Sequence, residues 1–306
     1  MGTDKTGPQD NQSSDERVDA MKKRRRKNSM FAVAKRQFLR RKTAIIGSIF
    51  IILIVAMCFS ESWLTPYNYA EQNIAEKFAD ISIKHIFGTD QFGRDLFTRL
   101  LKGGQLSLVI ATASVLMSTV AGVTLGASAA YFGGLYEMIV MRIVDVLMSI
   151  PGLLLAASVS TALGTGVYKS MIAIAFGQLA NMTRVSYANT LSVRSQEFIE
   201  AARARGASKS RIMFKYIIPN SLAPIIVHAT LRLGNGISQI ASLSFFGLGV
   251  QPPTPEWGSI MNQGRLFIRQ YWPTVVFPGV MIAITMISWN LIGDGLRDAL
   301  DPRLKR

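Results

Sequence analysis

Four ionisable side chains lie inside long apolar stretches of this 306-residue sequence, and they are the first candidates for chemistry. They are Arg142, Asp145, His228 and Arg232. A charged group is costly to bury in a bilayer, so one that is retained there is a candidate for function. Arg142 and Asp145 have the spacing of a helical salt bridge, which we favour over contact with a transported molecule. We expect His228 to serve packing or an interhelical hydrogen bond, and Arg232 to face a pore or a partner subunit.

Residues for covalent or metal chemistry are scarce. The chain has one cysteine, Cys58, and two distant histidines, His85 and His228. This excludes an internal disulfide and a paired-cysteine metal site, and no histidine–glutamate cluster is present. The nucleotide-binding motif G-x-x-x-x-G-K-[ST] is also absent, since the similar segment 164–170 has the wrong spacing. The sequence therefore predicts a chain that is not an enzyme, binds no metal or cofactor itself and cannot be its own ATP-driven motor.

The composition is that of a membrane protein. Hydrophobic residues make up 49% of the chain, charged residues 17%, and the mean hydropathy is +0.26. A helix needs about 20 mostly apolar residues to cross the roughly 30 Å hydrocarbon core of a bilayer, and several segments qualify. The net charge of +15 does not indicate nucleic-acid binding, because basic soluble domains lack such apolar runs. We predict an all-α integral membrane protein with no nucleic-acid partner.

Six transmembrane helices are predicted, give or take one. They cover 44–60, 106–130, 137–162, 168–188, 221–248 and 273–293. The fourth is the weakest, because only fourteen uncharged residues, 170–183, precede Arg184.

Lysine and arginine residues set the expected orientation. With the N-terminus inside, the inner segments 1–43, 184–219 and 294–306 hold 24 of these residues and the outer loops hold 8. Cytoplasmic segments carry the excess of positive charge, so both termini are expected in the cytoplasm. The predicted organisation then follows in order: a disordered and then basic tail 1–43, a first span 44–60, an extracytoplasmic loop 61–104, a membrane core 105–293 with a cytoplasmic loop 189–220, and a cytoplasmic tail 294–306.

The extracytoplasmic loop has structure of its own. In the segment FGRDLFTRLLKGG, residues 92–104, apolar residues share one helical face, which suits a short helix in the membrane interface. A helix packed against the ends of the spans fits equally well. A turn followed by a capped helix is indicated by Gly88, Asp90, Gly93, Arg94 and Asp95. Trp257 follows a proline-rich loop and is an aromatic residue suited to the interface.

A charged stretch, EAARARGASKSRIMFKYIIP at residues 200–219, interrupts the apolar sequence. Its alanine-rich start favours a helix, Gly206 is typical of a helix C-terminus and Ser208 of a helix N-cap. We expect Pro219 to end the second helix just before the next span. The segment would be a cytoplasmic helix-turn-helix joined rigidly to a span, although a solvated loop held to anionic lipid also fits.

The spacing of this stretch resembles the EAA loop of ABC-importer permeases. The match consists of Glu200 with two alanines, Gly206 after three residues, and a hydrophobic-x-hydrophobic-Pro ending at Pro219. Tyr216 and Ile218 stand where the family usually has isoleucine and leucine, and both stay apolar. FGTDQFGRD, AAYFGG, MRIVD, QPPTPEWG and GDGLRDALDPRLK are similar to the C-type permease subunit of dipeptide and oligopeptide (peptide/nickel) importers.

The resemblance covers about residues 30–306 and implies the type I permease fold in a bacterial inner membrane. It implies that the loop is a coupling helix that docks on an ATPase subunit. The coupling residues would be Glu200, Ala201, Ala202, Arg203, Arg205, Gly206, Ser208, Lys209, Arg211, Met213, Phe214 and Pro219. The outer set Gly88, Asp90, Gly93, Arg94, Asp95 and Trp257 would shape the external gate.

The same resemblance implies the partners: a related second permease subunit, two cytoplasmic ATPase subunits that bind ATP and Mg²⁺, and an extracytoplasmic substrate-binding protein. The expected cargo is a di- or oligopeptide, with glutathione, nickel or a metal–metallophore complex as alternatives. A secondary transporter is a remote alternative, because it would need midplane carboxylates or internal repeats that the sequence does not show. A mere membrane scaffold would leave the spacing of residues 200–219 unexplained.

Overall fold

The computed structural model describes residues 35–300, and the fold within that range is helical. The only extended pairing there is a single bridge between Thr89 and Asp95, so the all-α prediction is confirmed. The helices of eight or more residues are α1 Lys42–Phe59, α2 Leu96–Phe132, α3 Gly134–Met148, α4 Gly152–Leu163, α5 Val167–Arg194, α6 Glu197–Ala204, α7 Ile218–Phe245, α8 Trp257–Gly264 and α9 Pro273–Leu300. The tail predictions for 1–34 and 301–306 lie outside the described residues.

Four helical stretches are long and apolar enough to cross a bilayer: α1, α2, α9 and Lys209–Phe245, which includes α7. The pair α3 and α4 also passes this test, but only together and with a bend of 95°. The described residues therefore contain four spans by length and composition, or five if the bent pair crosses, where the sequence predicted six. The weak fourth prediction, 168–188, corresponds to α5, which is long enough at 28 residues but less apolar.

Helix α5 is less apolar because it contains many polar residues, and several of these face other helices. Its buried polar residues are Ser170, Gln178, Thr183, Ser186 and Thr190. Two glycines of α2 bring the neighbouring helix close: a Cβ on Gly122 would lie 2.7 Å from Cγ of Met182, and one on Gly126 would meet the backbone of Thr183 and Tyr187. Small residues permit such approach between membrane helices. Helices α2 and α5 thus form the most extensive helix pair of the fold.

The predicted straight span 137–162 is bent in the structure. Helix α3 ends at Met148, and α4 begins after Pro151. Proline has no N–H to donate and disfavours helical geometry in the residue before it, so the helix breaks here. Just beyond the bend, Gly152 lets α4 approach α5, since a Cβ there would lie 2.9 Å from the carbonyl oxygen of Gly177.

The segment 92–104 does not form a separate short helix, as one reading of the sequence proposed. Helix α2 begins at Leu96 and continues without a break to Phe132. Leu96 is buried and packs with Ile260 and Tyr271, so the alternative of packing against the ends of the spans describes this segment better. The reason is the N-cap: Asp95 accepts a hydrogen bond from the backbone N–H of Thr98 at 2.7 Å and starts the long helix.

Candidate functional site

Residues 197–217, here called the charged turn, form two helical pieces joined by a tight reversal. Helix α6 ends at Ala204, and Gly206 has φ of +75°, which suits glycine. The N–H of Gly206 donates to the carbonyl of Arg203 at 2.9 Å, and the N–H of Ala207 donates to that of Ala202 at 3.1 Å. These two bonds form a Schellman motif, so the helix end that the sequence predicts at Gly206 is confirmed.

The second piece differs from its prediction at its far end. Ser208 caps Lys209–Ile212, accepting from the N–H of Arg211 at 3.4 Å. The chain then passes through a π-helical turn, Met213–Ile217, straight into α7. Pro219 therefore does not end the helix, because it lies at the start of α7 after the π-helical turn, and a first helical turn tolerates a missing N–H. The charged turn is thus helically continuous with a candidate span.

The underside of the charged turn is apolar and fixed. Ile199, Ala202, Ile212, Met213 and Ile217 are buried together with Tyr131 of α2. Ala202 and Met213, both among the predicted coupling residues, therefore hold the turn in place and do not present themselves at its surface. Burial of this cluster ties the turn to the end of α2 as well as to α7.

The outer surface of the charged turn carries most of the other predicted residues. Exposed there are Glu200, Ala201, Arg203, Arg205, Gly206, Ser208, Lys209, Arg211 and Phe214. Phe214 is 69% exposed, so its ring is available for contact with a partner or with lipid. Among the described residues, the basic side chains of this surface form no salt bridge. The surface combines unpaired positive charge with an exposed aromatic ring.

A second polar cluster lies between α3 and α5, and here the sequence prediction was wrong. Asp145 forms its salt bridge with Arg184 of α5, whereas Arg142 is exposed and has no ion-pair partner among the described residues. Helical spacing allowed the Arg142–Asp145 pair, but Arg184 on the neighbouring helix competes for the same carboxylate. Arg142, Asp145 and Arg184 line a groove of about 630 Å³.

Arg232, which was expected to face a pore or a partner subunit, has a partner on its own helix. Its Nε donates to Nε2 of His228, one turn earlier on α7, at 3.2 Å. The i, i+4 spacing could have revealed this contact. Because the histidine nitrogen accepts this hydrogen bond, His228 is neutral and leaves the charge of Arg232 uncompensated.

The outer residues predicted to form a gate come together as a buried charge cluster of Asp90, Arg94, Asp95, Arg99 and His85. Arg94 is 2% and Arg99 1% exposed. Nε of Arg94 donates to Oδ2 of Asp90 at 2.7 Å, and Nε of Arg99 lies 3.4 Å from the same oxygen. Asp90 thus pairs with both arginines, since buried charges require such partners.

The glycines of this region have the backbone geometry that the predicted turn needs. Gly88 and Gly93 have φ of +72° and +69°. A Cβ on Gly88 would collide with Tyr271, and one on Gly93 with the backbone of Asn73. The predicted turn followed by a capped helix is therefore confirmed. The turn packs tightly against an earlier part of the first loop at Asn73.

His85 joins the cluster without any clear signal in the sequence. Its Nδ1 lies 2.9 Å from Oδ2 of Asp95, and its Nε2 lies 3.4 Å from Glu76. Glu76 also binds Lys84, and the hydrogen bond from Lys84 lowers the pKa of the Glu76 carboxyl. The contacts fasten the loop to the start of α2.

Trp257 is completely buried, so the expectation of an interfacial aromatic was wrong. Its Nε1 donates to the carbonyl of Leu100 at 2.9 Å, and its ring lies against Gly104, where a Cβ would be 2.7 Å from Cζ2. Beside it, Glu256 caps α8 by accepting from the N–H of Ser259 at 3.1 Å and from the hydroxyl of Ser107 at 2.8 Å. Burial raises the pKa of the Glu256 carboxyl.

Comparison with known proteins gives consistent family matches. Residues 122–306 match the family described as binding-protein-dependent transport system inner membrane component. Residues 29–80 match the N-terminal TM domain of oligopeptide transport permease C.

The described residues contain no group of three or more His, Cys, Asp or Glu side chains that could hold a metal ion.

Individual relatives cover most of the chain. The dipeptide transport system permease protein DppC of Alkalihalophilus pseudofirmus is 42% identical over 88% of this chain and 89% of its own length. The glutathione transport system permease protein GsiD of Escherichia coli O6:K15:H31 is 40% identical over 88% of this chain and 89% of its own length. A chain of the inward-facing MetNI methionine ABC transporter has the same fold, with a TM-score of 0.55 at 21% identity, over 66% of this chain and 96% of that one.

Proposed function

Since the chain belongs to the family of binding-protein-dependent transport system inner membrane components, a multi-pass family of the inner membrane, we propose that the exposed charged turn couples this ABC-importer permease to an ATPase subunit. The observation that carries the proposal is the helical continuity between the turn and α7. A push on the turn is transmitted along a helix and not lost in a flexible loop.

The two faces of the turn support this role. Its buried side, including Ala202 and Met213, anchors it to α2, while its exposed side offers Arg203, Arg205 and Phe214. Aromatic and arginine side chains contribute most to binding energy at protein interfaces. The turn then lies in the cytoplasm, as the distribution of Lys and Arg favours.

The proposed assembly has this chain beside a related second permease subunit, with two ATPase subunits and an extracytoplasmic substrate-binding protein. ATP and Mg²⁺ are bound by the ATPase subunits, and this chain catalyses no covalent chemistry. Closure of the ATPase subunits moves the charged turn and α7, which gives alternating access to a path between the two permeases.

The cargo proposed is a di- or oligopeptide, because the relative at 42% identity is a dipeptide permease. Glutathione, itself a small peptide, is the second candidate, favoured by the relatives at 40% identity. Nickel and metal–metallophore cargo rest on the family resemblance alone.

On the opposite side, the buried charge cluster is proposed to hold the external gate rigid. Gly88, Asp90, Gly93, Arg94 and Asp95 set the shape of the loop, and Trp257 fixes α8 to α2. The binding protein would dock on the outside of this rigid structure. Of the embedded groups, Arg142, Asp145, His228 and Arg232 are proposed to line the path or the contacts between helices.

The coupling proposal is tested by retention of the ATPase on the permease purified in mild detergent. Glu200→Lys reverses a charge on the exposed surface of the turn, and Glu71→Lys makes the same change on an exposed residue of the first loop. We expect the ATPase to be lost from the Glu200 variant and retained by the Glu71 variant. Equal retention by both variants, or no ATPase on the unmodified chain, would contradict the proposal.

A further inference from the structure

Helix α7 has two open faces of opposite character. One is apolar: Leu222, Ile226 and Leu233, with residues of α2, line a groove of about 460 Å³. The other is a polar stripe formed by His228, Arg232, Asn235 and Gln239, none of which is buried. Their spacing of four, three and four residues places them on one side of a helix. Lipid can cover the apolar face, but it is a poor environment for the stripe.

The charged member of the polar stripe lies at the middle of the span. Arg232 is 14 residues after Ile218 and 13 before Phe245, the ends of α7. At about 1.5 Å per residue, it is about 20 Å from either end. A guanidinium at this depth requires an anion or a water-filled path.

No carboxylate of the described residues supplies that anion. Asp145, in the bent helix pair, binds Arg184, and Glu137 accepts from the hydroxyl of Tyr187. Arg232 has only the neutral His228. A counter-anion for Arg232 would therefore come from outside the described residues.

The hydrogen bond to His228 also orients the guanidinium. It occupies Nε of Arg232, which leaves the two terminal nitrogens free. Two terminal N–H groups of arginine match the two oxygens of a carboxylate. His228 is in this sense a positioning residue, and Arg232 is the group that meets the ligand.

The stripe continues beyond the arginine with uncharged groups. Asn235 is exposed, and Gln239 accepts from the side chain of Gln178 at 3.0 Å. From Arg232 to Gln239 is about 10 Å along the helix, the length of about three extended residues. The stripe has the dimensions and the chemistry for a short peptide with a free carboxylate.

We propose that the polar stripe is a cargo station, in which Arg232 binds the C-terminal carboxylate of a peptide during its passage. This inference rests on the proposed function as a peptide importer. It adds a site, a ligand group and an orientation: the carboxylate lies at mid-membrane, and the rest of the peptide extends along α7 past Asn235.

The site is tested by the charge preference of labelling at residue 235 in the assembled importer in proteoliposomes. With Cys58 replaced by alanine, Asn235→Cys is exposed to anionic and cationic methanethiosulfonates of similar size. Arg232→Gln is expected to lower the anionic-to-cationic rate ratio by about tenfold or more, because it removes a nearby positive charge. Arg232→Lys keeps the charge and the preference, and His228→Gln, which keeps an acceptor for Arg232, preserves it as well.

Arg269→Gln is the control, since it removes an exposed arginine in the loop before α9 without touching the stripe. The ratio should stay unchanged in that variant. An unreactive cysteine at 235, or a ratio that moves no more for Arg232→Gln than for Arg269→Gln, would overturn the proposal.

A second arm identifies the anion. A dipeptide in millimolar excess should slow labelling of the cysteine at 235, whereas the same dipeptide with an amidated C-terminus should not, and Arg232→Gln should abolish the protection. Loss of the second permease subunit from the Arg232→Gln variant would show that the anion belongs to that subunit, and would refute the cargo station. Failure of ATP-driven uptake by the unmodified importer, with labelling as expected, would instead count against the proposed function.

Discussion

The charged turn and the buried charge cluster use similar side chains in opposite ways. In the cluster, Arg94 and Arg99 are buried and share the carboxylate of Asp90. In the turn, Arg203, Arg205 and their neighbours are exposed and have no salt bridge among the described residues. Paired and buried charges cannot be offered to another protein, whereas unpaired and exposed ones can.

This difference suggests that the buried charge cluster makes the fold rigid and that the charged turn binds a partner. Removing one partner of a buried pair leaves an uncompensated charge, so the cluster is energetically tied to its present geometry. An exposed cation adds little to the stability of its own chain. Stability should therefore depend on the cluster, and assembly on the turn.

The largest expected effect follows from Asp90→Ala. It leaves Arg94 and Arg99 buried without their shared carboxylate, and should lower the free energy of unfolding by about 3–5 kcal/mol. Denaturant unfolding of the detergent-solubilised chain measures this, with Asp80→Ala, at an exposed position, as the control. Similar losses in the two variants would remove the distinction between buried and exposed charge.

Buried Glu256 should make the free energy of unfolding depend on pH. Burial raises its pKa in the folded protein, so the folded chain keeps a proton that the unfolded chain releases. The contribution to stability is therefore full below the ordinary carboxyl pKa and falls as pH rises towards the raised value. The difference in unfolding free energy between the unmodified chain and Glu256→Gln should fall with pH, by at most about 1.4 kcal/mol per pH unit. Parallel curves for the two proteins would show that Glu256 has no raised pKa.

Ser208→Ala tests the cap inside the charged turn. Loss of the hydrogen bond to the N–H of Arg211 should cost about 0.5–2 kcal/mol of local helix stability. Hydrogen exchange of the amides in 209–212 should increase, while that of α2 stays unchanged. Ser210→Ala, two residues further along and not a cap, is the matched control, and equal exchange in both variants would argue against a capping role.

The smallest effect on stability is expected for Arg203→Ala. This exposed residue has no ion pair among the described residues, so the free energy of unfolding should change by no more than about 0.5 kcal/mol. A loss comparable to that of Asp90→Ala would mean that the turn is part of the stabilising core and not an interaction surface.

Much of the fold follows from local sequence signals. Gly206 and Ser208 marked the turn correctly, because cap residues act through backbone geometry within a few positions. Gly88 and Gly93 marked the loop turn for the same reason. The number of spans follows less directly from the sequence, because α5 buries polar residues against α2 and the bend at Pro151 divides another predicted span.

The pairing of charges could not be predicted from such local sequence signals. Arg142 has helical spacing to Asp145, but Arg184, far along the chain, takes the carboxylate. His85 joins Asp95 only once the first loop closes on α2. The burial of Trp257 was not predicted, because the small Gly104 that admits its ring lies on another helix, far away in the sequence. Contacts between distant segments decide such cases.

Site-directed crosslinking would test the central claim most directly. With Cys58 replaced by alanine, a single cysteine is placed either at Arg205 in the charged turn or at Ile83, a fully exposed position of the first loop. In the assembled importer, the cysteine at 205 should crosslink to the ATPase subunit and the cysteine at 83 should not. A crosslink to the ATPase from 83, or none from 205, would contradict the assignment of the charged turn as the coupling element.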